Sequence, residues 1–149
     1  MFNANKVAAI ALAATAMAAC ATADPDKWPF DADPLASFDE PWAMTFLPDG
    51  RLLVTEKEGR LLLLDMEGNR SLVFDEVPEL AYGGQGGLGD VVLHPEFADN
   101  GIVYLSYAET GDDDKRGAAV ARATLAFTDA GAELAGFEGI WRPVPKVSG

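Results

Sequence analysis

PWAMTFLPDGRLLVTEKEGRLLLLD, residues 41–65, decides the fold. Its apolar runs are cut by Asp49-Gly50 and Glu58-Gly59, pairs in which glycine takes a positive φ at little steric cost and lets the chain reverse tightly. A leucine-rich stretch can be helical in isolation, but a spacing of roughly seven to nine residues between turns leaves no room for helices. The stretch therefore reads as an antiparallel meander, with strands Trp42 to Leu47, Arg51 to Glu56 and Arg60 to Asp65. A fourth strand, Ser71 to Asp75, follows the MEGN turn at residues 66–69.

Downstream, Leu88 to His94, Ile102 to Ala108, Ala118 to Phe127 and a weaker Leu134 to Trp141 repeat the pattern. Setting Phe46-Leu47-Pro48 against Val92-Leu93-His94-Pro95 gives an internal offset of about 47 residues, within the roughly 40–50 of propeller blades. A four-stranded sheet of this kind exposes an apolar face that a neighbouring blade must bury, and closing a ring takes at least about four blades. The expected fold is all-β, the first two blades of a β-propeller, incomplete in this chain, which breaks off after a strand pattern at Lys146-Val147-Ser148-Gly149. A self-contained sandwich of about eight strands is the alternative.

Upstream, Met1 to Lys6 is a short polar start and Val7 to Ala19 an alanine-rich apolar run, together the pattern of a secretory signal over residues 1–23. The run is shorter than the roughly 20 residues that span a bilayer. Two processing sites compete. Met17-Ala18-Ala19-Cys20 resembles a bacterial lipobox, which makes Cys20 a lipidation candidate, whereas Ala21-Thr22-Ala23 offers ordinary cleavage before Asp24. Either implies export, to the periplasm or to a lipid anchor on the bacterial envelope. Cys20 is the only cysteine, so an internal disulfide is excluded. Residues 24–40, rich in Pro and Asp, read as a linker that packs down where it meets the domain at residues 41–149.

The composition, 49% apolar and 23% charged, is that of a globular chain. With 24 acidic against 11 basic residues, its field repels phosphate backbones, so nucleic acid is not an expected partner.

Taken in order, the phrase at 41–65, GGQGGLGDVVLHPEFADNGIVYLSYAE at 83–109, AAVARATL at 118–125 and WRPVPKVSG at 141–149 resemble the glucose/sorbosone dehydrogenase family. The resemblance implies a six-bladed propeller holding pyrroloquinoline quinone (PQQ) and Ca2+. It also implies oxidation of an aldose at C1 to the lactone: a histidine takes the hydroxyl proton while hydride passes to the quinone, which an electron acceptor then reoxidises. By the same resemblance Gln85, in Gly83-Gly84-Gln85-Gly86-Gly87, matches the glutamine of the family's glycine-rich loop and is the candidate cofactor- or substrate-binding residue. Flanking glycines let backbone approach a ligand closely, and an amide both donates and accepts. A surface turn with its glutamine facing water is the bland reading.

Other leads are weaker. Gly84, Gly86 and Gly89 spell GxGxxG, but strand-like Asp90 to Leu93 stands where a dinucleotide site needs a helix. His94, the only histidine, ends a strand before Pro95 and matches the family's structural His-Pro phrase, so the catalytic base is expected beyond Gly149 and the fragment alone is expected to be inactive. Asp112-Asp113-Asp114 lacks the alternating ligands of a calcium loop and reads as a solvated tip. Trp28, Trp42 and Trp141 read as packing anchors. Within this chain no metal ligand is assigned. Two other functions suit the same fold: a non-catalytic envelope propeller that binds proteins or glycans, and a lactonase-like hydrolase.

Overall fold

The structure, a computed structural model, describes residues 30–129 and 131–148. The chain divides into two compact units, Met1–Asp33 and Pro34–Gly149, and every strand among the described residues lies in the second. The signal pattern, Cys20 and Trp28 fall outside the described residues.

The first sheet is a meander in the order β1 (Pro41–Phe46), β2 (Leu52–Glu56), β3 (Arg60–Leu64), β4 (Arg70–Phe74), antiparallel throughout. Its first turn closes because Leu47 N–H donates to Arg51 O at 2.8 Å and Gly50, at φ 89°, donates to Leu47 O at 3.0 Å. Asp49 reinforces it by accepting from Arg51 N at 3.1 Å and from the Arg51 guanidinium at 2.9 and 2.6 Å.

The second sheet runs β5 (Leu88–Leu93), β6 (Ile102–Thr110), β7 (Lys115–Thr128), β8 (Gly131–Trp141), and a two-residue β9 (Val147–Ser148) pairs with the start of β7. Two features were not foreseen. A single turn of helix, α1 (Phe97–Asn100), closes on Gly101 in the left-handed region; one turn leaves no periodicity to read. β9 is too short to have a pattern of its own, and side chains described below hold it. The β6–β7 hairpin also continues past the expected strand ends, to the Thr110↔Arg116 pair.

One apolar cluster joins the two sheets. Leu53, Leu61, Leu63 and Val73 pack from the first, and Leu88, Val91, Val103, Leu105 and Leu125 from the second. Along β6 and β7 each large residue faces a small one, Val103↔Ala123, Leu105↔Ala121 and Tyr107↔Ala119, all buried. That pairing keeps the layer thin enough for the sheets to approach closely. At the outer strands Phe74 stacks on Phe137 with centroids 5.3 Å apart. The opposite face of β1 leaves Met44 and Phe46 exposed. The expected packing anchors need correcting, because Trp42 and Trp141 are 50% and 54% exposed.

The segment before β1 belongs to the same unit as the strands. Asp39 N–H donates to Glu56 Oε1 at 2.6 Å, Arg60 reaches Asp39 at 3.0 Å, and the Arg70 guanidinium donates to Ser37 O. A buried hydroxyl ties the sheets together: Thr55 Oγ1 accepts from Ala43 N at 3.0 Å and donates to Gly89 O at 2.7 Å. Thr55→Val keeps the volume and removes both bonds. We expect a loss of about 1–3 kcal/mol in urea denaturation; a midpoint equal to wild type would show that the bridge contributes nothing.

Candidate functional site

The chain from Ala81 to Leu88 is a loop whose shape its backbone dictates. Gly83 and Gly86 exchange hydrogen bonds of 3.2 and 2.8 Å, which puts Gly84 and Gln85 at a two-residue tip. Ala81 N–H donates to Ala108 O at 2.8 Å and Ala108 N–H to Gly87 O at 2.9 Å, while Leu88 N–H donates to Lys57 O at 3.0 Å. The loop is thus stitched to both sheets. At Gly87, with φ 146°, a Cβ would lie 2.3 Å from Lys57 O, so a side chain there would push the sheets apart.

The loop forms the floor of a cleft of about 890 Å³, whose walls include Trp42, Lys57, Tyr82, Ser106 and Arg116. Gln85 lies on it, exposed, and its amide makes no hydrogen bond among the described residues. His94 lies elsewhere. Its Nδ1 accepts from Glu96 N at 3.0 Å and meets Asn100 Nδ2 at 2.9 Å, so the ring proton sits on Nε2 and the imidazole secures the turn of α1. Asp112, Asp113 and Asp114 form the exposed tip between β6 and β7. Among the described residues no three His, Cys, Asp or Glu side chains converge to hold a metal.

Beside the loop, Tyr82 OH donates to Glu40 Oε2 at 2.6 Å. Lys57 Nζ lies 3.7 Å from Glu40 Oε1 and 5.6 Å from the Tyr82 ring centroid. The hydrogen bond to Glu40, with the charges of Glu40 and Glu58, raises the Tyr82 hydroxyl above its ordinary range, so it acts as a donor and not as a base.

Behind the Arg116 wall a second network fixes β9. Glu109, 1% exposed, receives both Arg142 (Nε at 3.0 Å from each carboxylate oxygen, Nη2 at 2.9 Å) and Lys146 Nζ at 2.7 Å. Lys146 also donates to Thr110 O. Its stem covers Gly111 and Gly117, where a Cβ would lie 2.6 and 3.3 Å from it. The Arg142 hydrogen bonds, opposed by burial and helped by Lys146, hold the Glu109 carboxyl down at about 2.

Residues 38–149 match the family described as Glucose / Sorbosone dehydrogenase. The chain belongs to that family. It is 40% identical over 111 residues to the aldose sugar dehydrogenase YliI of Escherichia coli K12, covering 74% of this chain and 29% of that protein. The apo crystal structure of the soluble E. coli aldose sugar dehydrogenase superposes with a TM-score of 0.65 at 39% identity over 72% of this chain and 31% of that one. A PQQ-bound aldose sugar dehydrogenase from Streptomyces coelicolor, 24% identical with a TM-score of 0.61 over 73% of this chain and 32% of that one, shares the fold. The chain therefore spans under a third of the length of these relatives.

In this member of the glucose/sorbosone dehydrogenase family, the structure places Gln85 on a loop tip at the cleft, and Lys57, Tyr82, Arg116 and Glu40 around it were not singled out from the sequence. Lys57 and Arg116 each sit beside a turn, where charge reads as solvation, and Glu40 fell within the presumed linker. Tyr82, directly before the glycines, was the one readable signal. Trp42 lines the cleft instead of anchoring a core.

Because the Glu109 carboxyl is held below its usual value near 4.5, its contribution to stability is complete above that value and is lost as pH falls toward about 2. Glu109→Gln removes that titration and leaves Arg142 and Lys146 facing a neutral amide. Urea midpoints at pH 7, 4 and 3 should fall steeply for wild type and less steeply for the variant; parallel curves would refute the coupling.

Proposed function

We propose that the protein is an exported, PQQ-dependent aldose dehydrogenase that oxidises C1 of an aldose to the lactone, with Gln85 binding cofactor or substrate at the cleft. The observation that carries this reading is Gln85 itself, a free amide at the tip of a glycine loop stitched to both sheets, opening into a cleft in a chain of this family. The cleft residues suit the cofactor chemically. PQQ is planar and anionic, and the same cleft offers it Arg116, which makes no ion pair among the described residues, beside the Gln85 amide. When bound, the quinone is the hydride acceptor.

What this chain contributes is position. The backbone bonds from Lys57 and Ala108 hold the loop still, so the Gln85 amide meets its ligand with little further ordering. The single histidine secures α1, and the general base is assigned to sequence outside these 149 residues; on that reading the chain alone does not turn over. No calcium ligand is assigned within the chain. Lipidation of Cys20 and an envelope location are proposed on the sequence pattern alone. The relatives named for glucose and aldose sugar dehydrogenation support the substrate class.

The test is to express the full-length protein without its signal, titrate it with PQQ and Ca2+, and follow aldose-dependent dye reduction. Gln85→Ala should lower kcat/KM by up to about tenfold, the worth of one ordinary hydrogen bond. His94→Ala should instead lower the thermal midpoint while leaving turnover per folded molecule near wild type. The reverse order of effects would overturn the site assignment, and a folded protein that binds no PQQ would overturn the dehydrogenase reading.

A further inference from the structure

Two aromatic side chains on the cleft wall are half exposed, Trp42 at 50% and Tyr82 at 52%. Isolated exposed aromatics are ordinary on a protein surface. These two share one concavity with a free amide, and Tyr82 is held in place. Its hydroxyl is bound to Glu40 at 2.6 Å, and the same carboxylate is 3.7 Å from Lys57 Nζ. Lys57, with 15% of its side chain exposed, approaches the phenol ring, and its own carbonyl anchors the glycine loop through Leu88 N. Tyr82 is therefore fixed at its oxygen and backed by a cation, and its remaining exposed surface lines the cleft.

A half-exposed side chain normally keeps rotamer freedom, and ordering it on binding costs free energy. The Glu40 and Lys57 contacts meet that cost before any ligand arrives. The charge balance indicates what the ring receives. Glu40 neutralises Lys57 locally, so this lip offers a neutral apolar face rimmed by hydrogen-bonding groups. That complements a ring with an apolar C–H face and a hydroxyl edge, and suits a polyanion poorly.

We propose that Tyr82, clamped by Glu40 and Lys57 and accompanied by Trp42, is the stacking platform for the pyranose ring of the aldose, and so a specificity-determining residue of this cleft. This rests on the dehydrogenase reading for the identity of the ligand.

The test uses the full-length protein loaded with PQQ and Ca2+, with glucose as the probe, and reads kcat and KM beside saturation-transfer NMR of the sugar C–H protons. Tyr82→Ala should raise KM about tenfold, equivalent to about 1.4 kcal/mol, with the loss in KM and not in kcat, and should weaken saturation transfer to the ring protons. Tyr82→Phe, which keeps the ring and frees it from Glu40, should fall between wild type and alanine. PQQ affinity, read by absorbance titration, and the thermal midpoint should match wild type in both variants.

An unchanged KM in Tyr82→Ala, with wild type active, overturns the platform and leaves the dehydrogenase reading standing. A fall in PQQ affinity or thermal midpoint in place of the KM effect also overturns it, because Tyr82 would then serve cofactor or fold. If wild type oxidises no aldose but shows saturation transfer that depends on Tyr82, the platform stands and the dehydrogenase reading falls. If wild type shows neither oxidation nor transfer, both fall.

Discussion

The contact between the two sheets is the constraint on which the rest depends. One apolar face of each sheet meets the other around Leu53, Leu61, Leu105 and Val103, all fully buried. The buried alanines of β7, Ala119, Ala121 and Ala123, permit that approach, since each sits opposite a larger residue of β6. Once the sheets are this close, strands β2 and β5 are near enough for Thr55 to reach Gly89 and for Lys57 O to accept from Leu88 N. The glycine loop lies on that seam. Gly87 has no space for a side chain because Lys57 backbone occupies it, so the loop's composition follows from the sheet contact as much as from any ligand.

Period and turn chemistry made the strands legible. Asp49-Gly50 and Glu58-Gly59 mark reversals on local grounds, and alternation along Val103, Leu105 and Tyr107 marks a buried face, so both sheets could be read without tertiary information. The glycines marked a loop at residues 83–87, and only the resemblance to the family singled out Gln85 within it. What was missed depends on contacts between residues distant in sequence. Tyr82 meets Glu40 across 42 residues, and Arg142 meets Glu109 across 33. A charge in a turn is indistinguishable by pattern from a solvated one until its partner is located. Trp42 was misread for a related reason, since an aromatic on a strand implies burial only if its face is covered.

The electrostatics show how a chain with net charge −13 uses its few cations. Arg60, Arg142 and Lys146 each sit on a carboxylate that is almost fully buried, Glu56 or Glu109. Such carboxylates are costly unless paired, and removing one partner strands a charge that water cannot reach. The acidic excess lies on exposed tips such as Asp112 to Asp114, where hydration is cheap. Lys57 and Arg116 remain on the cleft. Arg116 makes no ion pair among the described residues, so it is the cation left to influence what enters.

Glu109 and Glu40 show what burial does to one functional group. Glu109 is sealed beneath the Arg142–Lys146 segment and receives multiple charged donors, so its work is internal: it holds β9 to the start of β7 and supports the wall on which Arg116 and Gly117 sit. Glu40 stays exposed, meets Lys57 at the looser distance of 3.7 Å and takes its short bond from a phenol that faces the cleft. An exposed pair of that kind adds little to folding, because water screens it. Its consequence lies in the orientation of Tyr82. A surface contact too weak to matter for stability can still decide which way an aromatic ring faces, and on a cleft wall that orientation bears on ligand choice.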